Sequence, residues 1–129
     1  MIPKFRAYDS GSLTRMYQPE EVMVCDGNIW IIDEDDVAGS WIVNNDLNLM
    51  QSTGLKDKNG KEIFEKDILD YNGRKVIVKW HGSYASFIYE FVDELQNRKT
   101  EWQPLYLSYY HFEIIGNIYE NPELLEVTE

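Results

Sequence analysis

The side chains that could carry out nucleophilic or metal chemistry are few: one cysteine, Cys25, and two histidines, His81 and His111. A zinc site needs short ligand spacing, and a Cys–His catalytic pair needs its nucleophile and base within hydrogen-bond reach. These residues are widely separated in the sequence, so their spacing indicates neither kind of site. We therefore predict no catalytic residue, no metal ligand and no bound cofactor, and we expect that the protein is not an enzyme.

A Gly-Lys pair, Gly60-Lys61, follows Gly54 and partly matches a phosphate-binding loop. That loop has the form Gly-x-x-x-x-Gly-Lys-Ser/Thr and opens a helix, whose dipole helps to bind phosphate. Here the glycines are one residue further apart, Glu62 stands where Ser or Thr is needed, and the pair lies between two predicted strands. The pattern indicates a turn rather than a nucleotide site.

The acidic run Asp33–Asp36 could supply oxygen ligands to a divalent cation. An EF-hand loop, however, needs alternating ligands with a glycine and a final glutamate at fixed positions. Consecutive carboxylates point in different directions and repel one another, so we expect a solvated loop that could face a basic protein. This first candidate surface for a partner consists of Asp33, Glu34, Asp35 and Asp36.

Aromatic residues provide a second candidate surface, formed by Tyr106, Tyr109 and Tyr110. A stacking platform for single-stranded nucleic acid would need basic residues among the aromatic ones, and the segment Glu101–Glu113 contains none. Core packing or a protein interface fits the composition better. Of these two, core packing is favoured because a small β-domain needs large side chains to fill it.

A basic segment, Lys56–Lys79, supports an alternative function, nucleic-acid binding by a small SH3-like barrel. Its positive face would be built from Lys56, Lys58, Lys61, Lys66, Arg74, Lys75 and Lys79. Acidic residues are mixed among these positions, which weakens the attraction to phosphate. A small-molecule enzyme or carrier is a less favoured alternative, since it requires a concave pocket with convergent polar groups.

Two β-hairpins are predicted around Asp-Gly and Asn-Gly, dipeptides that two-residue hairpin turns favour. The first joins Val22–Cys25 to Asn28–Ile32, and the second joins Asp67–Tyr71 to Arg74–His81. In the last of these strands Val76, Val78 and Trp80 share one face, and Lys75, Ile77 and Lys79 share the other. This alternation is typical of a half-buried antiparallel strand.

Other turn and strand signals complete a mainly β pattern. The predicted features are a turn at Asp57–Gly60 between the arms Met50–Leu55 and Lys61–Phe64, and β-type runs at Tyr84–Phe91 and Phe112–Tyr119. Gly116 within the last run indicates a bulge or a close backbone approach. Asn121-Pro122 predicts a short C-terminal helix, and Asp93–Arg98 is either a helical turn or a polar loop.

The predicted fold class is mainly β: a small antiparallel barrel or strongly bent sheet with an N-terminal β element and a short C-terminal helix. The acidic loop suggests a division into an N-terminal β element, residues 1–40, and a barrel-like core, residues 41–129. One continuous domain is the alternative.

Composition and charge are typical of one compact protein, because 43% of the 129 residues are apolar and 14% are aromatic. The net charge of −11 disfavours general nucleic-acid binding. A single cysteine excludes an internal disulfide, and apolar runs of at most four residues predict neither a membrane span nor a signal peptide. We expect a cytoplasmic protein.

Three stretches, in this order and spacing, resemble the YopX-like family of small phage and prophage proteins. They are Lys4–Asp9, Leu49–Leu69 and Glu113–Leu125, of which the two longer ones are specific. The resemblance implies a mainly β fold carried by phages and integrated elements. It implies no established activity and offers no catalytic residues to transfer.

The family-like stretches are interpreted as turn and strand-closing segments rather than an active site. Their structural signature is Gly54, Asp57, Asn59, Gly60, Asp67 and Gly116. The family usually has glycine where Lys66 stands. If that glycine serves a left-handed bulge, lysine there costs roughly 1 kcal/mol or more. A tryptophan often stands in the place of Tyr8, so that an aromatic residue is kept.

From these observations we expect a phage- or prophage-encoded accessory protein that binds a host or phage protein in the cytoplasm of the host cell. Homo-oligomers are also expected, because short β-domains leave edge strands that symmetric pairing can cover. Nucleic acid is the less favoured partner, and no membrane association is expected.

Overall fold

The computed structural model describes residues 3–11, 13–33, 35–94 and 102–126. The regular structure of these residues is almost entirely β, and the helical segments among them are short 3₁₀ turns. The strands are β1 (Phe5–Asp9), β2 (Arg15–Tyr17), β3 (Val22–Cys25), β4 (Asn28–Ile32), β5 (Trp41–Val43), β6 (Asn48–Lys56), β7 (Glu62–Phe64), β8 (Asp67–Tyr71), β9 (Arg74–His81), β10 (Ser86–Phe91), β11 (Trp102–Pro104) and β12 (Glu113–Asn117). The 3₁₀ turns are Pro19–Glu21, Val92–Glu94, Leu105–Leu107, Tyr109–His111 and Pro122–Leu125.

The strands form three sheets, in which the described neighbours pair in the orders β2-β1-β6-β7, β3-β4-β5 and β11-β10-β9-β8-β12. Pairings such as β1 with β2, β3 with β4 and β8 with β9 are antiparallel. The predicted fold class is confirmed: the protein is mainly β, with a curled half-barrel sheet.

The chain divides into two compact units, Met1–Ser52 and Thr53–Glu129. Strand β6 begins in the first unit and ends in the second, and β5 lies on the N-terminal side of the boundary. The division predicted after residue 40 stays a prediction.

Both predicted hairpins are confirmed, with the turn residues in the backbone conformations that their types favour. In the first, Cys25 is opposite Asn28, and the turn residues Asp26 and Gly27 have φ of +52° and +75°. In the second, Tyr71 is opposite Arg74, across a turn whose two residues have φ of +50° and +87°. Positive φ at both central residues defines the hairpin turn whose twist matches that of paired strands.

The predicted turn at Asp57–Gly60 is present and is built around a buried carboxylate. Oδ1 of Asp57 accepts hydrogen bonds from the N–H groups of Asn59 and Lys61, both at 2.9 Å, and Oδ2 accepts one from the N–H of Ile114 at 3.0 Å. The N–H of Gly60 donates to the carbonyl of Asp57, and Gly60 has φ of +83°. One side chain therefore ties this turn to the start of β12.

The other signature residues also serve the backbone. Gly54 has φ of +76°, and Asp67, which is almost fully buried, accepts a hydrogen bond from the N–H of Phe64 at 2.8 Å. The Asn59 side chain reaches Oε1 of Glu113 at 3.4 Å. The turn and strand-closing role of the family-like stretches stays a prediction.

The middle of strand β9, Val76–Val78, is buried on both faces, which differs from the half-buried strand that its alternation predicts. Val76 and Val78 belong to one apolar cluster, and Ile77 belongs to another on the opposite face. Leu124 and Leu125 of the last 3₁₀ turn pack against the second cluster. The alternation was misleading because a segment distant in sequence covers the face that carries the lysines.

The C-terminal segment contains a 3₁₀ turn, Pro122–Leu125, rather than an α-helix. Asn121 precedes it, but its side chain makes no cap hydrogen bond; its Oδ1 accepts from the N–H of Asn117 at 3.2 Å instead. Of the segment Asp93–Arg98, the first part belongs to the 3₁₀ turn Val92–Glu94, and residues 95–98 lie outside the described residues.

Candidate functional site

One face of the sheet β3-β4-β5 packs on the core of the first unit at Val22 and Ile31, although Val24 and Ile42 on the same face are 40% and 43% exposed; the other face also carries exposed apolar side chains. Val22 and Ile31, directly opposite each other, are buried in a cluster with Ala7, Tyr17 and Leu47. Because side chains alternate along a strand, the residues next to Val22 and Ile31 in their own strands point to the other face of the sheet. Cys25 and Asn28 lie on the second face, and its large apolar side chains are Met23, Trp30, Ile32, Trp41 and Val43.

We call these five side chains the apolar face. Met23 is 41% exposed, Trp41 37% and Val43 44%, while Trp30 and Ile32 are partly buried. Large apolar side chains gathered on one surface are uncommon on monomeric proteins unless another molecule covers them. The apolar face is therefore a candidate binding surface.

Strand β5 forms an edge of this sheet. The N–H of Asp33 donates to the carbonyl of Ser40 at 2.8 Å, and the N–H of Asn44 donates to the carbonyl of Ile29 at 2.9 Å. In an antiparallel pair, bonded and non-bonded positions alternate, so the N–H and C=O groups of Ile42 point toward β4. The N–H and C=O groups of Trp41 and Val43 point away from β4, toward the open edge of the sheet formed by the described strands.

The acidic run, the first predicted surface, lies in the loop that joins β4 to β5. Oδ1 of Asp33 accepts from the N–H of Asp35 at 3.0 Å, and Oδ1 of Asp36 accepts from the N–H of Ala38 at 3.0 Å. The Ser40 hydroxyl donates to Oδ2 of Asp36. Hydrogen bonds from Ser40 and Ala38 hold the pKa of Asp36 below its ordinary value. Glu34 lies outside the described residues.

A cavity of about 310 Å³ opens beside this loop, within the first unit. It is lined by Asp9, Leu13, Tyr17, Ile31, Ile32, Asp33, Asp35, Ile42 and Asn44. Three lining residues are acidic and none is basic, and most of the others are apolar. This combination can accept a cationic group attached to an apolar stem.

The three tyrosines of the second predicted surface have different environments. Tyr109 packs against the core of the second unit, whereas Tyr106 and Tyr110 are 54% and 55% exposed. All three belong to the 3₁₀ turns Leu105–Leu107 and Tyr109–His111. The structure thus divides this group between the core and the surface.

An aromatic group that the sequence did not reveal surrounds the turn between β9 and β10. The ring of Trp102 lies 4.7 Å from that of His81 and 5.1 Å from that of Tyr84, between centroids. Trp80 and Phe87 meet edge to face at 4.9 Å, and with Tyr106 they line a cavity of about 300 Å³. Trp102 is distant from the others in sequence, and only the pairing of β10 with β11 brings it close.

The basic segment carries much of its positive charge beside acidic groups. Lys79 pairs with Glu90 at 3.1 Å, Arg74 with Asp93 at 2.9 Å, and Lys58 lies 3.8 Å from Glu113. Arg74 also stacks over the ring of Phe91 at 3.7 Å. Each neighbouring carboxylate reduces the attraction of this segment to phosphate.

The cysteine and the two histidines lie in separate places. Cys25 is exposed at the end of β3, and Nδ1 of His81 accepts from the N–H of Tyr84 at 3.1 Å. The ring of His111 lies 4.2 Å from that of Tyr110. Within the described ranges, no group of His, Cys, Asp or Glu side chains is placed to hold a metal ion. No helix in that part of the chain is both long and apolar enough to span a membrane.

Comparison with known proteins identifies the family. The family model described as YopX protein matches residues 4–126. The chain belongs to the YopX family. The resemblance of the three sequence stretches is therefore confirmed, and none of those stretches includes a residue of the apolar face.

The chain is also similar to a solved structure. The crystal structure of protein EF1440 from Enterococcus faecalis is 31% identical in sequence and has a TM-score of 0.63; the alignment covers 98% of this chain and 99% of that chain. No curated protein matches the chain.

The apolar face was missed by sequence reasoning, although a signal for it is present. Val22–Cys25, Asn28–Ile32 and Trp41–Val43 are apolar at nearly every position, where a strand with one solvated face would alternate with polar residues. Such runs indicate strands that need cover on both faces. The core of the first unit covers part of one face of this sheet.

Proposed function

We propose that this YopX family protein is a phage- or prophage-encoded accessory protein that binds a host or phage protein in the cytoplasm of the host cell and has no catalytic activity. The observation that carries the proposal is the apolar face of the sheet β3-β4-β5. A protein partner would cover Met23, Trp41 and Val43, which are each more than a third exposed.

The composition of the apolar face supports a protein partner. Tryptophan and methionine are enriched at the centres of protein interfaces, and tryptophans often contribute most of the binding energy. The acidic loop between β4 and β5 lies beside the edge strand β5, and the chain carries a net charge of −11. A basic partner would therefore be attracted over a distance and would be oriented toward this side of the sheet.

The test is capture of partners from a host lysate by the wild-type protein and by the double variant Trp41→Ser/Val43→Ser. Both side chains are exposed, so the variant should keep its circular dichroism spectrum. We expect at least a tenfold loss of the captured partner, as for removal of a central interface tryptophan. The matched control is Tyr84→Ser, which removes a side chain that is 56% exposed in the second unit.

Equal capture by the wild-type protein and the double variant would contradict the proposal, as would a loss that Tyr84→Ser causes to the same degree. The nucleic-acid alternative is tested by titration with single- and double-stranded oligonucleotides at low salt. Micromolar binding that Lys61→Gln and Lys75→Gln weaken would favour that alternative instead.

A further inference from the structure

We propose that β5 is the docking edge for an extended basic segment of the partner. The segment adds to β3-β4-β5 as a fourth strand, antiparallel to β5, and places one Lys or Arg side chain in the cavity lined by Asp9, Asp33 and Asp35. This inference rests on the proposed protein-binding function, and it names the chemistry of the partner and the mode of binding.

The main chain of β5 supplies the first part of the binding geometry. The N–H and C=O groups of Trp41 and Val43 point away from β4, as the bonds around Ile42 require. An incoming antiparallel strand pairs with both residues and satisfies all of these groups. Addition of a strand to an open sheet edge is a recurrent mode of peptide recognition.

The alternation of side chains then determines which partner residue enters the cavity. Ile42 points to the core face and lines the cavity, whereas Trp41 and Val43 point to the apolar face. The partner residue opposite Ile42 lies on the cavity side, and its two neighbours lie on the apolar face. The recognised pattern is therefore apolar–basic–apolar.

The cavity accounts for the basic residue in that pattern. Asp9, Asp33 and Asp35 contribute negative charge, and no basic side chain is among the lining residues. The apolar lining, which includes Leu13 and Ile42, suits the methylene stem of Lys or Arg. An arginine guanidinium can bind two carboxylates in one plane, and a volume of about 310 Å³ leaves room for such a side chain.

Charge complementarity favours this occupant over a second copy of the chain. Antiparallel pairing of β5 with its own copy about Ile42 would place isoleucine opposite isoleucine and leave the cavity without a cation. Two copies would also repel each other, because each chain carries a net charge of −11. An extended basic segment can hydrogen-bond to the main chain of β5 and also place a cation beside the carboxylates of the cavity.

The probe is a synthetic peptide with blocked ends, Thr-Thr-Val-Arg-Val-Thr-Thr, titrated at low salt into the isotopically labelled full chain. We expect changes in the amide NMR signals of Trp41, Ile42 and Val43. Citrulline in place of arginine removes the charge and keeps the shape, and should weaken binding at least about tenfold. Methylation of both valine nitrogens removes the donors to β5 and should abolish binding.

Variants of the protein test the same contacts from the other side. In Asp33→Asn/Asp35→Asn the amide oxygens can keep the local hydrogen bonds, and we expect the arginine and citrulline peptides to bind alike. Asp26→Asn removes one charge at a turn residue outside the cavity. In this control the arginine peptide should still bind more tightly than the citrulline peptide. Val43→Pro removes an N–H that points away from β4, so it should weaken peptide binding while the signals of β4 are kept.

Equal binding of the arginine and citrulline peptides, or signal changes confined to other strands, would overturn the proposal. Dimerisation through β5 in sedimentation, lost in Val43→Pro, would identify a second copy as the occupant instead. If the peptides fail while lysate capture still depends on Trp41 and Val43, the protein-binding function holds and edge addition is wrong. If neither peptide binding nor lysate capture depends on Trp41 and Val43, the protein-binding function and the edge addition are both wrong.

Discussion

Lys66 holds its backbone in the left-handed region, with φ of +70°, a conformation that favours glycine. Its N–H donates to the carbonyl of Val78 at 2.9 Å, and its carbonyl accepts from the N–H of Ile118 at 3.1 Å. These two bonds hold the conformation in spite of the contact that a Cβ atom makes with its own backbone there. We therefore expect the protein to be less stable with lysine at position 66 than with glycine there.

Lys66→Gly is expected to raise the free energy of unfolding by about 1 kcal/mol, the approximate difference between a non-glycine residue and glycine in this conformation. Urea denaturation monitored by tryptophan fluorescence measures the change. Lys75→Gly serves as the control, because Lys75 lies within strand β9 and glycine there should destabilise. A stability below that of the wild-type protein for Lys66→Gly would contradict the expectation.

Hydrogen-bond donors within its own loop lower the pKa of Asp36. The Ser40 hydroxyl, and then the N–H of Ala38, stabilise the ionised carboxylate and lower its pKa. A carboxyl whose pKa is lower in the folded state contributes stability at higher pH, and that contribution is lost as the pH falls through the folded-state pKa. Because Asp36 is partly exposed, its lowered pKa changes the charge of the loop more than it changes the stability of the fold.

Ser40→Ala should raise the pKa of Asp36 toward its ordinary value, because the first of these donors is removed. The side-chain carboxyl carbon, followed by NMR during an acid titration, reports the change directly. Ser86→Ala, in the second unit, is the control and should leave the pKa of Asp36 unchanged. A pKa that stays equally low without the hydroxyl would assign the shift to the backbone donors alone.

Among the elements, β12 depends on a close approach that its sequence only partly indicates. Its register with β8 shifts between Ile114 and Gly116, so the predicted bulge is confirmed. A Cβ atom on Gly116 would lie 2.5 Å from Oδ1 and 2.9 Å from Cβ of Asn121. The glycine leaves room for the side chain that accepts from the N–H of Asn117.

Gly116→Ala is expected to lower the free energy of unfolding by about 1–3 kcal/mol, the range for overpacking. The loss should be smaller when Asn121→Ala is also present, since the crowded side chain is then absent. A double-mutant cycle by chemical denaturation measures this coupling. Gly82→Ala is the control, because no atom lies within 4 Å of the added Cβ. Additive effects of the two substitutions would show that the clash is relieved elsewhere.

The charge of the whole molecule bears on how a partner is found. The net charge of −11 attracts a basic protein from a distance, whereas the acidic loop beside β5 acts at short range. Surface charge acts mainly on association rates and on salt dependence, and buried apolar contacts govern dissociation. The apolar face and the acidic loop should therefore affect binding in different ways.

Changing Asp33–Asp36 to the corresponding amides should raise the dissociation constant for the captured partner and make binding less dependent on salt. The measurement is affinity at several salt concentrations. The control changes four acids elsewhere, Asp26, Asp70, Glu123 and Glu126, and makes the net charge less negative by the same amount. If both variants lose the same salt dependence, the overall charge rather than the acidic loop attracts the partner.

Local sequence was sufficient where a few adjacent residues control the backbone. The hairpins around Asp26-Gly27 and Asn72-Gly73, and the turn at Asp57–Gly60, were predictable because their side chains select φ or bond to nearby N–H groups. The mainly β class followed from the same signals.

Tertiary structure decided which faces of those strands are covered. The alternation in β9 could not reveal that Leu124 and Leu125 cover the face of Ile77, and the apolar runs of β3, β4 and β5 could not reveal which face remains exposed. The cavity that joins Asp9 to Asp33 likewise requires segments far apart in the chain. Turn chemistry acts over a few bonds, whereas burial depends on contacts between distant segments, which only the folded chain brings together.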